Sequence, residues 1–233
     1  PDQGARTMIP KAKLILGPPG CGKTYRLIEE IRGALERGTS PSRIGVISFT
    51  RKAIEEMVSR ACAEFQLEPK DFPFMRTSHS FGFRGLGLQV TDIMNKEDYD
   101  NVGRDVGLTF EGKMSNALDD GLAVPSIGGS GADYLQMVGR ARLRMVTLDQ
   151  EYNEAADRSL HYPKLVQLHN QIEEYKRATN KFDYVDMIDK YIQVGEPPSL
   201  DYLFVDEAQD FTPMQWEMVS KIAEHADQVF IAG

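Results

Sequence analysis

Apolar positions along the chain follow two rhythms. Short, nearly unbroken apolar runs have the length of buried strands: Leu14-Ile15-Leu16, Ile44 to Ser48, Phe74 to Thr77, Tyr202 to Asp206 and Gln228 to Gly233. Between the early runs the spacing widens to that of helices. Leu27, Ile28, Ile31 and Leu35 share one face, and Ile54, Met57, Ala61 and Phe65 share another on a helix predicted from Lys52. Gly38 to Pro41 separates the two units as a loop. Strand, helix, strand, helix, strand predicts an α/β fold, a parallel sheet covered by helices.

The middle of the chain changes character. From about Gly85 to Thr179 no strand pattern stands out, and Gly128-Gly-Ser-Gly131 reads as a loop. Residues 149–158 and 164–178 read as helices, the second with Leu165, Leu168, Ile172 and Tyr175 on one side. The expectation is a mainly helical insertion, residues 87–179, in an α/β domain formed by 1–86 and 180–233. Residues 182–192 predict an amphipathic helix and Gly195-Glu-Pro-Pro198 a break. Thr212-Pro213 reads as an N-cap and first-turn proline opening a helix to about Glu224. Residues 1–12 show no periodicity and read as a flexible lead-in. The final run stops within a residue of a core strand, so the expectation is a truncated fragment.

Composition narrows the class. Hydrophobic content of 41% and charged content of 27% are those of a globular chain able to bury a core. No apolar stretch approaches the roughly 20 residues that span a bilayer, and no signal-peptide pattern opens the chain. Cys21 and Cys62 form neither a disulfide framework nor a zinc set and read as reduced thiols, which points to the cytoplasm. A net charge of −8 argues against a generally basic nucleic-acid binder. Its distribution is uneven, however: residues 1–90 carry 14 Lys/Arg against 9 Asp/Glu, and residues 181–233 carry 3 against 11. An anionic ligand can therefore meet one face. The alternate arginines of Gly139-Arg-Ala-Arg-Leu-Arg144 fit either a solvated basic surface or phosphate contact.

The chemistry begins at Gly17-Pro18-Pro19-Gly20-Cys21-Gly22-Lys23-Thr24. A strand pattern precedes it and a helix pattern follows, the setting that makes G-x-x-x-x-G-K-[ST] a phosphate cradle. Glycines let backbone N–H groups close on phosphate oxygens, and the helix start favours an anion. Lys23 reaches the β- and γ-phosphates and the Thr24 hydroxyl ligates Mg²⁺. Late in the chain the apolar run Leu203-Phe-Val delivers Asp206 to a strand end, where its carboxylate holds Mg²⁺ opposite Thr24. Glu207 follows, within reach of the attacking water as general base.

These residues resemble a family. Asp206-Glu207-Ala208-Gln209-Asp210 is similar to motif II of the UvrD/Rep-type superfamily 1 DNA helicases, and Gly17–Thr24 to their motif I. Phe49-Thr50-Arg51-Lys52-Ala53, with Glu56, Met57 and Arg60, resembles motif Ia. Thr77-Ser78-His79 resembles the T-x-H element of motif Ib, Phe182-Asp183 a segment upstream of motif II, and Val229 to Gly233 the start of motif III. The resemblance implies a RecA-like P-loop NTPase core with a helical subdomain between motifs Ib and II. It implies ATP and Mg²⁺, hydrolysis coupled to stepping 3′ to 5′ along single-stranded DNA, strand separation of duplex DNA, and an association with the nucleoid.

It also implies residue roles. Phe49, Thr50, Arg51, Thr77 and His79 would line the single-strand path, and Gln209 would couple the γ-phosphate to DNA. A second RecA-like core, with arginines that complete the site, is expected from a longer chain, so these 233 residues alone are expected to hydrolyse little. Three positions depart from the family pattern. The adenine-reading glutamine has no secure match, Gln3 being the nearest; Tyr25 stands where the family often has Arg, with Arg26 next, and either can stack near the base; Arg51 replaces the common Asn. The competing readings are a clamp-loader-like AAA+ ATPase and a non-catalytic P-loop scaffold.

Overall fold

The structure, a computed structural model, describes residues 12–18, 20–111, 128–156 and 159–233. Gln3, Pro19, most of the expected lead-in and the last two residues of the helix expected over 149–158 lie outside these. The chain divides into two compact units. The first runs to Phe81 and takes in Glu196–Phe211 and Gln215–Gly233; the second is Gly82–Gly195 with Thr212–Met214.

The first unit is built on five parallel strands: β1 (Ala12–Ile15), β2 (Ile44–Ser48), β3 (Met75–Thr77), β4 (Leu200–Asp206) and β5 (Ala226–Ala232). Their order is β1-β5-β4-β2-β3. Helices α1 (Lys23–Glu36) and α2 (Arg51–Phe65) follow β1 and β2, and α3 (Ser78–Gly85) follows β3 directly. Between Ala12 and Phe65 the expected pattern holds closely. Leu27, Ile28, Ile31 and Ala34 of α1 and Ile54, Met57 and Ala61 of α2 pack on Val46, Phe204 and Phe230. Phe204 and Phe230 are register partners whose rings stack at 5.0 Å between centroids. On the alternate positions Ile47, Leu203, Val205 and Val229 are also buried, which is why the central strands read as continuous apolar runs.

Boundaries move where side chains cap. Helix α2 starts at Arg51 because the Thr50 hydroxyl accepts the Ala53 N–H at 3.3 Å. It ends in a left-handed Gln66. The third strand is shorter than expected, and β4 and β5 each begin two residues before their apolar runs. Helix α9 (Pro213–Ala223) opens on its proline, as the sequence predicts.

The second unit is mainly helical in its described residues. It contains α4 (Lys96–Val106), α5 (Ala132–Leu143), α6 (Leu148–Glu154), α7 (Tyr162–Thr179) and α8 (Asp186–Val194). Met94, Tyr99, Val102, Phe110, Leu135, Leu168 and Ile172 form its core. The expected helix over 182–192 starts late, because Phe182 pairs with Ile93 in an isolated bridge. Asp183 and Asp186 then accept each other's backbone N–H, at 2.9 and 2.7 Å, in a reciprocal cap.

The alternate arginines divide: Arg140 and Arg144 are exposed, as a solvated surface would have them, and Arg142 is not. They sit at the end of α5, a helix, so they diverge. Arg140 and Arg144 flank the fully buried Glu151, at 2.7 Å (Arg140 Nε) and 2.5 Å (Arg144 Nη1). Arg142 turns inward to Asp183 and Asp186 at 2.6 and 2.5 Å. Lys176 reaches the same two carboxylates at 2.9 Å each. All four groups of that cluster are largely buried, with Glu173 and Asp189 at its margin.

Candidate nucleotide-binding site

The C-terminal ends of parallel strands are where a sheet of this kind holds its ligand. Here the parallel register aligns Thr77, Ser48 and Asp206 across β3, β2 and β4. The turn after β1 is the glycine loop. Gly20 and Gly22 adopt φ of +79° and +87°, left-handed values that other residues rarely take. A Cβ at Gly17 would lie 2.3 Å from the Cys21 sulfur, so a larger residue there requires the Cys21 side chain to move. Lys23, nine-tenths buried, donates to the Gly17 carbonyl at 2.9 Å and to that of Pro18 at 3.4 Å. The lysine thus lies folded over the loop it would share with phosphate.

Thr24 and Asp206, separated by 182 residues, meet: the Thr24 hydroxyl donates to Asp206 Oδ1 at 3.4 Å and Oδ2 at 3.5 Å. They meet across a strand, since β5 lies between β1 and β4 and Asp206 is not on the neighbour of the loop's own strand. Burial pushes the Asp206 carboxyl up to about 6, and the Glu207 charge adds to this. The Glu207 backbone N–H, the Thr24 hydroxyl and the Lys23 ammonium pull the other way.

Glu207 sits at φ 51°, ψ 44°, a left-handed conformation uncommon outside glycine and asparagine. Such backbone persists where its surroundings over-determine it, as at functional turns. The turn continues through Gln209, whose amide donates to Glu207 Oε2 at 2.6 Å. Gly233 closes the arrangement. Its carbonyl accepts from Gly17 N–H at 3.4 Å, and a Cβ there would lie 3.1 Å from Gln209 Oε1. Among the described residues no group of three or more His, Cys, Asp or Glu is set to hold a metal.

The expected flanking residues are placed unevenly. Tyr25 is exposed, while Arg26 pairs with Glu30 at 3.2 Å. Thr50 and Arg51 are exposed, Arg51 bonding Glu55 at 2.6 Å, and Phe49 is half-buried. Thr77 and His79 are buried, the Thr77 hydroxyl accepting the Ser80 N–H at 3.4 Å. Burial pushes the His79 ring down to about 3, so it is neutral at physiological pH. Sequence reasoning missed Gln215, which donates to the Ser78 hydroxyl at 2.9 Å, both being buried. It also passed over Gly233 as a site residue; only its place at the start of the motif III resemblance hinted at a role.

A family model, that of the UvrD/REP helicase N-terminal domain, matches residues 2–233. The chain belongs to the UvrD/REP helicase family. It is a superfamily 1 helicase domain, and its sheet and flanking helices are a RecA-like core. No curated protein sequence matches it. The match favours this reading over a clamp-loader-like ATPase. No helix among the described residues is long and apolar enough to cross a membrane.

Proposed function

We propose that the chain binds Mg²⁺·ATP in the loop Gly17–Thr24 and hydrolyses it to drive movement along single-stranded DNA in the 3′ to 5′ direction, opening duplex ahead of it. The observation that carries the reading is the contact between Thr24 and Asp206, which brings two distant motifs to one point. The cradle fits the ligand: Gly20 and Gly22 supply the left-handed backbone of a phosphate loop, and the hydroxyl and carboxylate converge as hard oxygen donors for magnesium. When bound, the ion would be held by Thr24 and Asp206, and it supplies neutralising charge to the β- and γ-phosphate oxygens.

The remaining work falls to side chains. Lys23 exchanges the Gly17 and Pro18 carbonyls for phosphate oxygens, so binding opens one set of hydrogen bonds as it makes another. Glu207 orients the attacking water and takes its proton while the bond from the γ-phosphorus to the ADP oxygen breaks. Gln209, bonded to Glu207 and packed on Gly233, reports the state of the γ-phosphate to the rest of the turn. On the DNA side Phe49 offers a ring for base stacking, and Thr50 and Arg51 offer backbone and charge to phosphates. Thr77 and His79 are buried, and the Thr77 hydroxyl holds the start of α3. Tyr25 is the exposed ring available to the base.

Calorimetry tests the reading. Lys23→Ala should abolish measurable Mg²⁺·ATP binding, and ATPase activity of the full-length protein should rise when single-stranded DNA is added. Unchanged affinity in the variant refutes the cradle; turnover indifferent to DNA refutes the coupling.

A further inference from the structure

The strand ends that hold Asp206 carry one side chain the proposed chemistry has not used. Ser48, the last residue of β2, is fully buried, and among the described residues its Oγ has no hydrogen-bond partner. A buried hydroxyl left in this way is unfavourable relative to a satisfied one. Alanine would fill nearly the same volume without that cost, so packing alone does not account for serine. The neighbouring residue in the row does not share the problem, since the Thr77 hydroxyl accepts the Ser80 N–H.

Register locates what Ser48 faces. Ser48 and Asp206 are partners across β2 and β4. Side chains alternate along a strand, so both project to the same face as Val46 and Phe204, two residues back, which pack in one core cluster under α1 and α2. Thr24, at the start of α1, lies on that face too and bonds Asp206. Neighbouring strands are about 4.8 Å apart, so a water molecule can bridge groups on adjacent strand ends. Magnesium gives up its waters reluctantly and keeps several when protein supplies few ligands.

We propose that Ser48 is a positioning residue for the bound ion: its hydroxyl holds a water ligand of the magnesium beside Asp206. The assignment rests on the nucleotide reading above, and it extends that site from Thr24 and Asp206 to a third strand. Partners of this outer kind are worth 10–100-fold in metal affinity. The hydroxyl is left without a protein partner in the fold because its partner arrives with the metal.

The test uses Mn²⁺ with ADP as the probe, the free ion being counted by electron paramagnetic resonance, on the wild-type chain, Ser48→Ala and Lys23→Ala. Thermal unfolding is measured in EDTA in parallel. Ser48→Ala should weaken Mn²⁺ about 10-fold in the presence of ADP. It should leave metal-free ADP affinity unchanged and unfold in EDTA at the wild-type temperature or above. Mn²⁺ affinity within twofold of wild type overturns the proposal. So does a lower unfolding temperature in EDTA, which would show the hydroxyl bonded within the fold. Lys23→Ala separates the two failures: if it too binds Mn²⁺ and ADP as wild type does, the nucleotide reading itself falls and takes Ser48 with it.

Discussion

Replacing Arg142 by methionine tests the buried ion cluster of the helical unit. In the wild type two cations, Arg142 and Lys176, face two carboxylates, Asp183 and Asp186. Burial by itself raises Asp183, but the charges of Arg142 and Lys176, with the Lys176 hydrogen bond, outweigh it and hold the carboxyl at about 2. Asp186, its partner in the cluster, is raised instead, by burial and by the Asp183 charge, so the two shifts oppose each other in the stability of the cluster. Because the folded value of Asp183 is the lower one, its share of the stability is present above pH 4 and is lost as pH falls from 4 towards 2. Removing Arg142 leaves Lys176 alone between two buried carboxylates, one of them uncompensated. Breaking a buried pair in this way costs about 3–5 kcal/mol near pH 7.

In Arg142→Met the carboxyl already raised in the wild type, Asp186, is raised further, so protonating it should restore more stability as pH falls from 7 to about 5 than it does in the wild type. Hydrogen exchange of the α5, α7 and α8 amides measures the local opening free energy, and urea unfolding at each pH supplies the total. Adding Asp186→Asn to the variant removes the uncompensated charge and should recover more than half of the loss. A penalty under about 1 kcal/mol at pH 7, or parallel pH slopes in variant and wild type, refutes the reasoning.

Two further changes probe the site. Gly17→Ala drives a methyl into the Cys21 sulfur at 2.3 Å, so nucleotide affinity measured by calorimetry should fall at least 10-fold and return in large part when Cys21→Gly is added; absence of rescue would move the cause to the backbone. Glu207→Gln in the full-length protein should keep nucleotide affinity and lose DNA-stimulated turnover by 10²-fold or more. Normal turnover removes Glu207 from the proton transfer.

How legible the site was depends on how local each part is. Gly17 to Thr24 needs only a strand before it and a helix after it, and both follow from spacing within about 25 residues. The sheet's apolar runs were equally legible, because a strand buried on both faces shows no alternation to misread. The start of α8 was misplaced because a reciprocal pair of aspartates, not hydrophobic spacing, decides it. The inward turn of Arg142 is not legible because its counter-charges, Asp183 and Asp186, are 41 and 44 residues away. Nothing in a run of basic residues states that its partners are internal.

The sequence by itself determined the two motifs, the strands and helices that present them, and therefore the class of ligand: these depend on residue types and short spacings that backbone sterics and helix polarity make selective. Only the tertiary structure decided that β5 stands between β1 and β4, that Thr24 reaches Asp206 across it, and that Ser48 ends buried in the same row. Strand order and register are set by which apolar faces can be buried together, a property of the whole sheet, and that sum over distant residues is what turns a hydroxyl at position 48 into a neighbour of a carboxylate at position 206.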